Sequence, residues 1–171
     1  ASSSRLSQFI KLEGQGVWLH PKGTTAASTE YTLYSVETNK GAVLLELFIA
    51  KSVIEEQLHR RYFSFLGSRK QIYREKTVAG YKTDLYIADT DTLIEIKTVI
   101  SEDKMALFPT IYSDRSIKQL EKLLELMGDG HRVCYIFAIL HPNTKRMHIQ
   151  KGTEYHRLLL KCIESGMMVK A

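Results

Sequence analysis

The segment that most limits how this chain can fold is Thr83–Thr98, TDLYIADTDTLIEIKT. It holds one apolar run, Leu85–Ala88, and most of a second that continues past the segment to Val99 and Ile100, Leu93–Ile100, the two separated by a turn-forming Asp89–Asp91. Both runs are rich in the residue types that suit pleated, buried strands. Yet the second contains Glu95 and Lys97, and Asp84 heads the first. Charged side chains enter a protein interior only with partners, so a fold that uses these strands must supply them. Side chains two apart share a strand face, so Glu95 and Lys97 project together while Ile94 and Ile96 point the other way. A tight turn makes the two strands antiparallel and sets Asp84 opposite the late part of the second, near Glu95 or Lys97. Two carboxylates held close repel unless a cation lies between them or one is protonated. A hard ion such as Mg²⁺, held by one or two carboxylates and waters, removes that repulsion. A lysine beside it can orient water or neutralise charge on a phosphoryl oxygen. The residues therefore leave two readings: a Glu95–Lys97 ion pair on an exposed sheet face, or a site suited to metal-assisted phosphodiester hydrolysis.

At 171 residues the chain fits one domain with a sizeable core. Its 44% hydrophobic and 25% charged residues exclude disordered and fibrous classes. No apolar run reaches the ~20 residues of a membrane helix. The first residues show no signal-peptide core, and the missing initiator Met suggests a processed or truncated start. Cys134 and Cys162 lack metal-ligand spacing, and Cys134 reads as a buried thiol suited to a reducing, cytoplasmic setting. The six histidines show no zinc spacing, and no P-loop, nucleophile elbow or dinucleotide fingerprint occurs.

Net charge is +5, and it is concentrated. Between His59 and Lys76 stand Arg60, Arg61, Arg69, Lys70, Arg74 and Lys76 against Glu75, with Tyr62, Phe63, Phe65 and Tyr73 interleaved. This is either a phosphate-binding stripe with aromatics for stacking or a solvated helix end whose aromatics point inward.

Residues 1–30 stand apart as a small lobe, with an apolar patch at Val17–Leu19 and a loop from His20 to Glu30. Alternation marks a strand in EYTLYSVET, Asn39–Gly41 a turn, and AVLLELFIA a short buried strand. A 3.6 period predicts a helix over KSVIEEQLHRRYFSFL, stopped by Gly67. Strands follow at about Gln71–Val78, Thr83–Asp89 and Thr92–Val99, then a loop holding Phe108–Pro109. A helix over Asp114–Gly128 is predicted with Asp114 as N-cap and Ile117, Leu120, Leu124 and Met127 as its buried stripe. HRVCYIFAIL reads as a buried strand, KRMHIQ as its hairpin partner, TEYHRLLLKCIES as a helix capped by Thr153 and stopped by Gly166, and MMVKA as a last strand.

These blocks occur in an order with a known counterpart. Arg74–Glu75 is followed by Gly80–Asp84, then by Glu95–Ile100 (EIKTVI), Phe108–Ile111 (FPTI) and Arg115–Leu120 (RSIKQL). Over roughly residues 30–171 the arrangement resembles the sugar fermentation stimulation protein A family, within the PD-(D/E)XK nuclease superfamily. The resemblance implies an α/β, restriction-endonuclease-like αβββαβ core with a mixed central sheet flanked by helices. It also implies that residues 1–29 are a small β remnant of an OB-like N-terminal lobe.

The implied function is a Mg²⁺- or Mn²⁺-dependent nuclease acting on DNA or RNA with weak sequence selectivity; the alternative is a non-catalytic, regulatory DNA-binding protein on the same fold. Asp84 and Glu95 would hold the metal, with Ile96 as a further ligand, and Lys97 would be the catalytic lysine. The first-helix acid best matches Glu56, with Glu55 as the register alternative. Arg60, Arg61, Arg69, Lys70, Arg74, Lys82, Arg115 and Lys118 would hold the nucleic-acid backbone. On the later helix Arg115, Lys118, Gln119 and Lys122 share one face, which is otherwise its polar side. Tyr81–Lys82 stands where the family has Ser-Arg, Gln119 where it has His, and Glu46 and Lys51 lie near replaced asparagines. No membrane partner is implied, and the oligomeric state is left open, a homodimer being one option.

Overall fold

The computed structural model describes residues 10–23 and 29–171. Its element order begins with β1 (Val17–Pro21), β2 (Tyr31–Thr38), β3 (Gly41–Leu44) and α1 (Leu47–Gln57). β4 (Ile72–Arg74), β5 (Thr77–Val78), β6 (Tyr81–Lys82), β7 (Leu85–Ile87) and β8 (Thr92–Val99) follow. The remainder is β9 (Met105–Phe108), α2 (Asp114–Gly128), β10 (Arg132–Ile139), β11 (Arg146–Ile149), α3 (Glu154–Glu164) and β12 (Met168–Lys170).

The centre is a five-stranded mixed sheet in the order β12-β10-β8-β7-β4. β8, β10 and β12 run parallel, joined through α2 and α3, while β7 is antiparallel to both β8 and β4. Parallel neighbours need long crossovers, and the two amphipathic helices supply them. β8 thus has strands on both edges and layers on both faces. Leu93 and Val99 pack with α2 and α3, through Leu120, Leu123, Tyr155 and Leu159. Ile94 and Ile96 pack with Leu58, Phe63 and Leu66 from the end of α1 and the 3₁₀ turn Arg61–Leu66. A separate three-stranded sheet, β1-β2-β3, has its own small core of Ile10, Val36, Val43 and Leu45.

The mixed sheet flanked by helices matches the expected layout, and β8 spans the expected residues. Several local expectations are corrected. AVLLELFIA does not stay extended: β3 ends at Leu44 and α1 starts at Leu47, because LELFIA carries a helical as well as an extended apolar pattern. The expected helix to Leu66 breaks after Gln57 and resumes as the 3₁₀ turn, closed by Gly67 at φ +82°. Gln71–Val78 is not one strand, since Glu75 has a positive φ and separates β4 from β5. Ser113, not Asp114, caps α2, its hydroxyl accepting from the Ser116 N–H, and Asp114 sits in the first turn where the helix dipole favours an acid. The buried stripe of α2 is Ile117, Leu120, Leu123 and Leu126, with Leu124 and Met127 at its edge, because α2 meets both the sheet and α3. β11 pairs in parallel with β9, a strand hidden in the expected loop, rather than forming a hairpin with β10.

Among the described residues no helix is long and apolar enough to cross a membrane. Both thiols are buried, and burial pushes Cys134 up to about 12 and Cys162 to about 11.

Leu120 is fully buried between the sheet and α3. Leu120→Ala is expected to cost about 2–5 kcal/mol of stability, read from the midpoint shift in urea at unchanged slope.

Candidate functional site

The register Leu85↔Ile94 brings Asp84 alongside Glu95, as the turn geometry requires. Thr83, buried at the head of β7, donates to the Ile94 carbonyl (2.8 Å) and pins this corner. Asp84 is held at both oxygens: Lys51 Nζ donates to Oδ1 (2.5 Å) and the Ile96 N–H to Oδ2 (2.8 Å). Ile96 therefore serves the site through its backbone. Its side chain is in the core, so its carbonyl is the one oxygen it can offer a metal.

Glu95 and Lys97 share a face with Leu93 and Val99, the face covered by α2. Glu95 is accordingly buried, 3% exposed, and the alternative of an exposed ion pair does not hold. Three donors compensate it. Tyr81 Oη donates to Oε2 (2.6 Å), while Lys97 Nζ (2.7 Å) and Gln119 Nε2 (3.1 Å) donate to Oε1. Lys97 also donates to Gln119 Oε1 (2.6 Å) and lies 5.8 Å from the centre of the Tyr135 ring. Burial, then the Glu95 carboxylate, pushes the Tyr81 phenol far above its ordinary range, so it remains a donor.

Asp84, Glu95, Ile96, Lys97 and Gln119 floor a cleft of about 910 Å³. One wall is α1 with the β5–β6 hairpin, through Leu47, Lys51 and Lys82; the other runs from Leu107 to Gln119. Four cationic and four anionic side chains line it, and three pairs are in contact: Lys51–Asp84, Lys97–Glu95 and Lys82–Glu75. Arg115 and Asp114 complete the set. A smaller hollow of about 390 Å³ beside it is bordered by Tyr81, Asp114, Arg115, Lys118 and Gln119.

The structure thus brings Asp84, Glu95, Ile96, Lys97, Lys82, Arg115 and Lys118 together. It does not bring Glu56, which is exposed on α1 outside the cleft; Glu55 pairs instead with Arg74. The basic segment divides. Arg69 turns inward and donates to the Phe63 and Gly67 carbonyls (2.8 and 2.6 Å), so its role is to hold the 3₁₀ turn. Arg74 lies over the Phe48 ring while pairing with Glu55. Arg60, Arg61 and Lys70 are exposed but line neither hollow. Phe63 is core, as the second reading of this segment held, while Tyr62 and Tyr73 are exposed.

Three site residues escaped assignment from the sequence. Lys51, Tyr81 and Gln119 appear there only as departures from a pattern, Gln119 also as part of a helix face. Leu47 and Lys51 at i, i+4 of one helix were a usable signal once the helix start was known.

Among the described residues no three His, Cys, Asp or Glu side chains converge as a metal cluster. The donor set still suits a hard cation. A carboxylate has about four acceptor positions. Asp84 uses two and Glu95 three, leaving capacity on both. Mg²⁺ needs only one or two carboxylates, completing its shell with water and phosphate oxygens.

With this mixed α/β architecture and acidic-basic cleft in place, comparison with other proteins defines the class. A family profile described as "Sugar fermentation stimulation protein RE domain" matches residues 48–171. The chain belongs to the sugar fermentation stimulation protein (SfsA) family. It is similar to the sugar fermentation stimulation protein homolog of Clostridium kluyveri, 23% identical across 98% of this chain and 84% of that one. It is also similar to the Pyrococcus furiosus homolog, 23% identical across 99% of this chain and 75% of that one. The fold matches the solved structure of Pyrococcus furiosus SfsA in complex with Ca²⁺, with a TM-score of 0.81 at 22% identity, over 96% of this chain and 72% of that one.

Tyr81→Phe removes one of the three donors to a buried carboxylate. It is expected to destabilise the protein by about 1.5–3 kcal/mol in urea denaturation, with the native circular dichroism retained.

Proposed function

We propose that the cleft is the active centre of a metal-dependent nuclease that hydrolyses phosphodiester bonds in DNA or RNA, on a restriction-endonuclease-like core. The observation that carries this reading is the joint placement of Asp84, Glu95 and Lys97 on one cleft floor, each fixed by neighbours. Asp84, Glu95 and the Ile96 carbonyl would hold Mg²⁺ or Mn²⁺. When bound, such an ion supplies a Lewis acid for a phosphoryl oxygen and lowers the pKa of a bound water.

The chain's own residues do the positioning. Lys97 has three N–H donors, of which two are engaged by Glu95 and Gln119, so one is left for a phosphoryl oxygen or the attacking water. Glu95 and Gln119 hold that ammonium still, which is what electrostatic stabilisation of a developing charge requires. Arg115, Lys118 and Lys82 stand at the rim, where they can take flanking phosphates without reading bases, so selectivity is weak and affinity falls with salt. Ca²⁺ in the solved Pyrococcus furiosus relative supports a divalent site in the family's fold.

A second reading, a regulatory nucleic-acid-binding protein without turnover, is favoured by one observation: Lys51 sits on Asp84 and neutralises it. Incubation with single- and double-stranded DNA and RNA in Mg²⁺ or Mn²⁺ separates the two. The nuclease reading expects metal-dependent cleavage, lost in Asp84→Asn and lowered about 10²–10³-fold in Lys97→Met. Salt-sensitive binding by the wild type with no metal-dependent cutting would establish the second reading instead.

A further inference from the structure

The two lysines of the cleft floor are held in opposite ways. Lys97 is 15% exposed at its side chain and bonded to both Glu95 and Gln119, so it cannot leave without exposing a buried carboxylate. Lys51 is 40% exposed and, among the described residues, bonds only Asp84 Oδ1. Its four-carbon stem is flexible. Asp84 does not depend on it, because Oδ2 stays anchored to the Ile96 N–H.

We propose, resting on the metal-site reading above, that Lys51 is an internal stand-in for the divalent cation. Its ammonium fills the cation position on Asp84 in the metal-free protein. On metal entry it is displaced into the cleft, where it becomes a ligand for a phosphate oxygen of the nucleic acid.

Charge makes the exchange consequential. The cleft's four cationic and four anionic side chains leave it near neutral, which is a poor receptor for a polyanion. A bound divalent ion adds two positive charges, and the freed ammonium is no longer neutralised by Asp84. Metal and nucleic acid therefore bind cooperatively, and by linkage each strengthens the other equally. Lys51 thus lowers the affinity for metal alone and raises the affinity for metal together with substrate.

The test uses the whole chain, Ca²⁺ calorimetry and fluorescence anisotropy of a labelled single-stranded oligonucleotide with and without Ca²⁺. Lys51→Met keeps the stem and removes the charge; Lys51→Gln is a second, polar replacement. Both are expected to bind Ca²⁺ about fivefold more tightly, the change that a partly exposed ion pair corresponds to. Both are also expected to show a smaller Ca²⁺-induced gain in oligonucleotide affinity than the wild type. Unchanged or weaker Ca²⁺ binding in both, with Asp84→Asn losing it, overturns the stand-in and leaves the metal site intact. Tighter Ca²⁺ binding with an undiminished oligonucleotide gain overturns the phosphate-ligand role. Asp84→Asn binding Ca²⁺ as well as the wild type overturns the metal reading itself and the stand-in with it.

Discussion

The buried carboxylate of Glu95 is the constraint around which the rest of the site is arranged. It lies on a strand with neighbours on both edges and helices over both faces, where an uncompensated charge would cost several kcal/mol. Its three donors come from different parts of the chain: Tyr81 from β6, Lys97 from β8 itself and Gln119 from α2. Satisfying one carboxylate therefore ties the small β5–β6 hairpin and the long helix to the central sheet. A buried ion pair of this kind is weak evidence for stability, since apolar residues of similar volume would hold the layers as well.

Asp84 is the counterpart with a different solution. It is anchored by one backbone N–H, from Ile96, and by the partly exposed ammonium of Lys51. The floor thus combines a buried, rigidly bonded half, Glu95–Lys97–Gln119, with a more exposed half, Asp84–Lys51, which the proposal above makes exchangeable. Rigid placement serves charge stabilisation, which gains from groups that need not reorganise. Under the proposed function, exchangeable neutralisation of Asp84 would serve ligand entry, because a bare carboxylate would repel the phosphates of a nucleic acid.

Much of this was legible beforehand, for reasons that individual residues make plain. β8 was legible because Thr92–Val99 is apolar, β-branched and bounded by a turn, and the antiparallel register followed from the short Asp89–Asp91 link. α3 was legible because Thr153 and Gly166 bracket one amphipathic period. The start of α1 was not, since LELFIA suits either periodicity. The β9–β11 pair was not, because a parallel pairing between segments so far apart leaves no local signal.

The site divides along the same line. Asp84, Glu95 and Lys97 are close in sequence and joined by strand geometry, so period and turn suffice to bring them together. Tyr81, Gln119 and Lys51 reach the floor through tertiary contacts with the hairpin, α2 and α1, which no local pattern encodes. The choice between the two readings of Glu95 divides in the same way. Alternation correctly paired it with Lys97 and opposed it to Ile94 and Ile96, but alternation says only which residues share a face. What covers that face is decided by the α2 crossover, and its cover makes Glu95 a buried group needing three donors rather than a surface acid. The residues that carry charge could be read from the chain; the residues that make those charges tolerable, and so usable, required the fold.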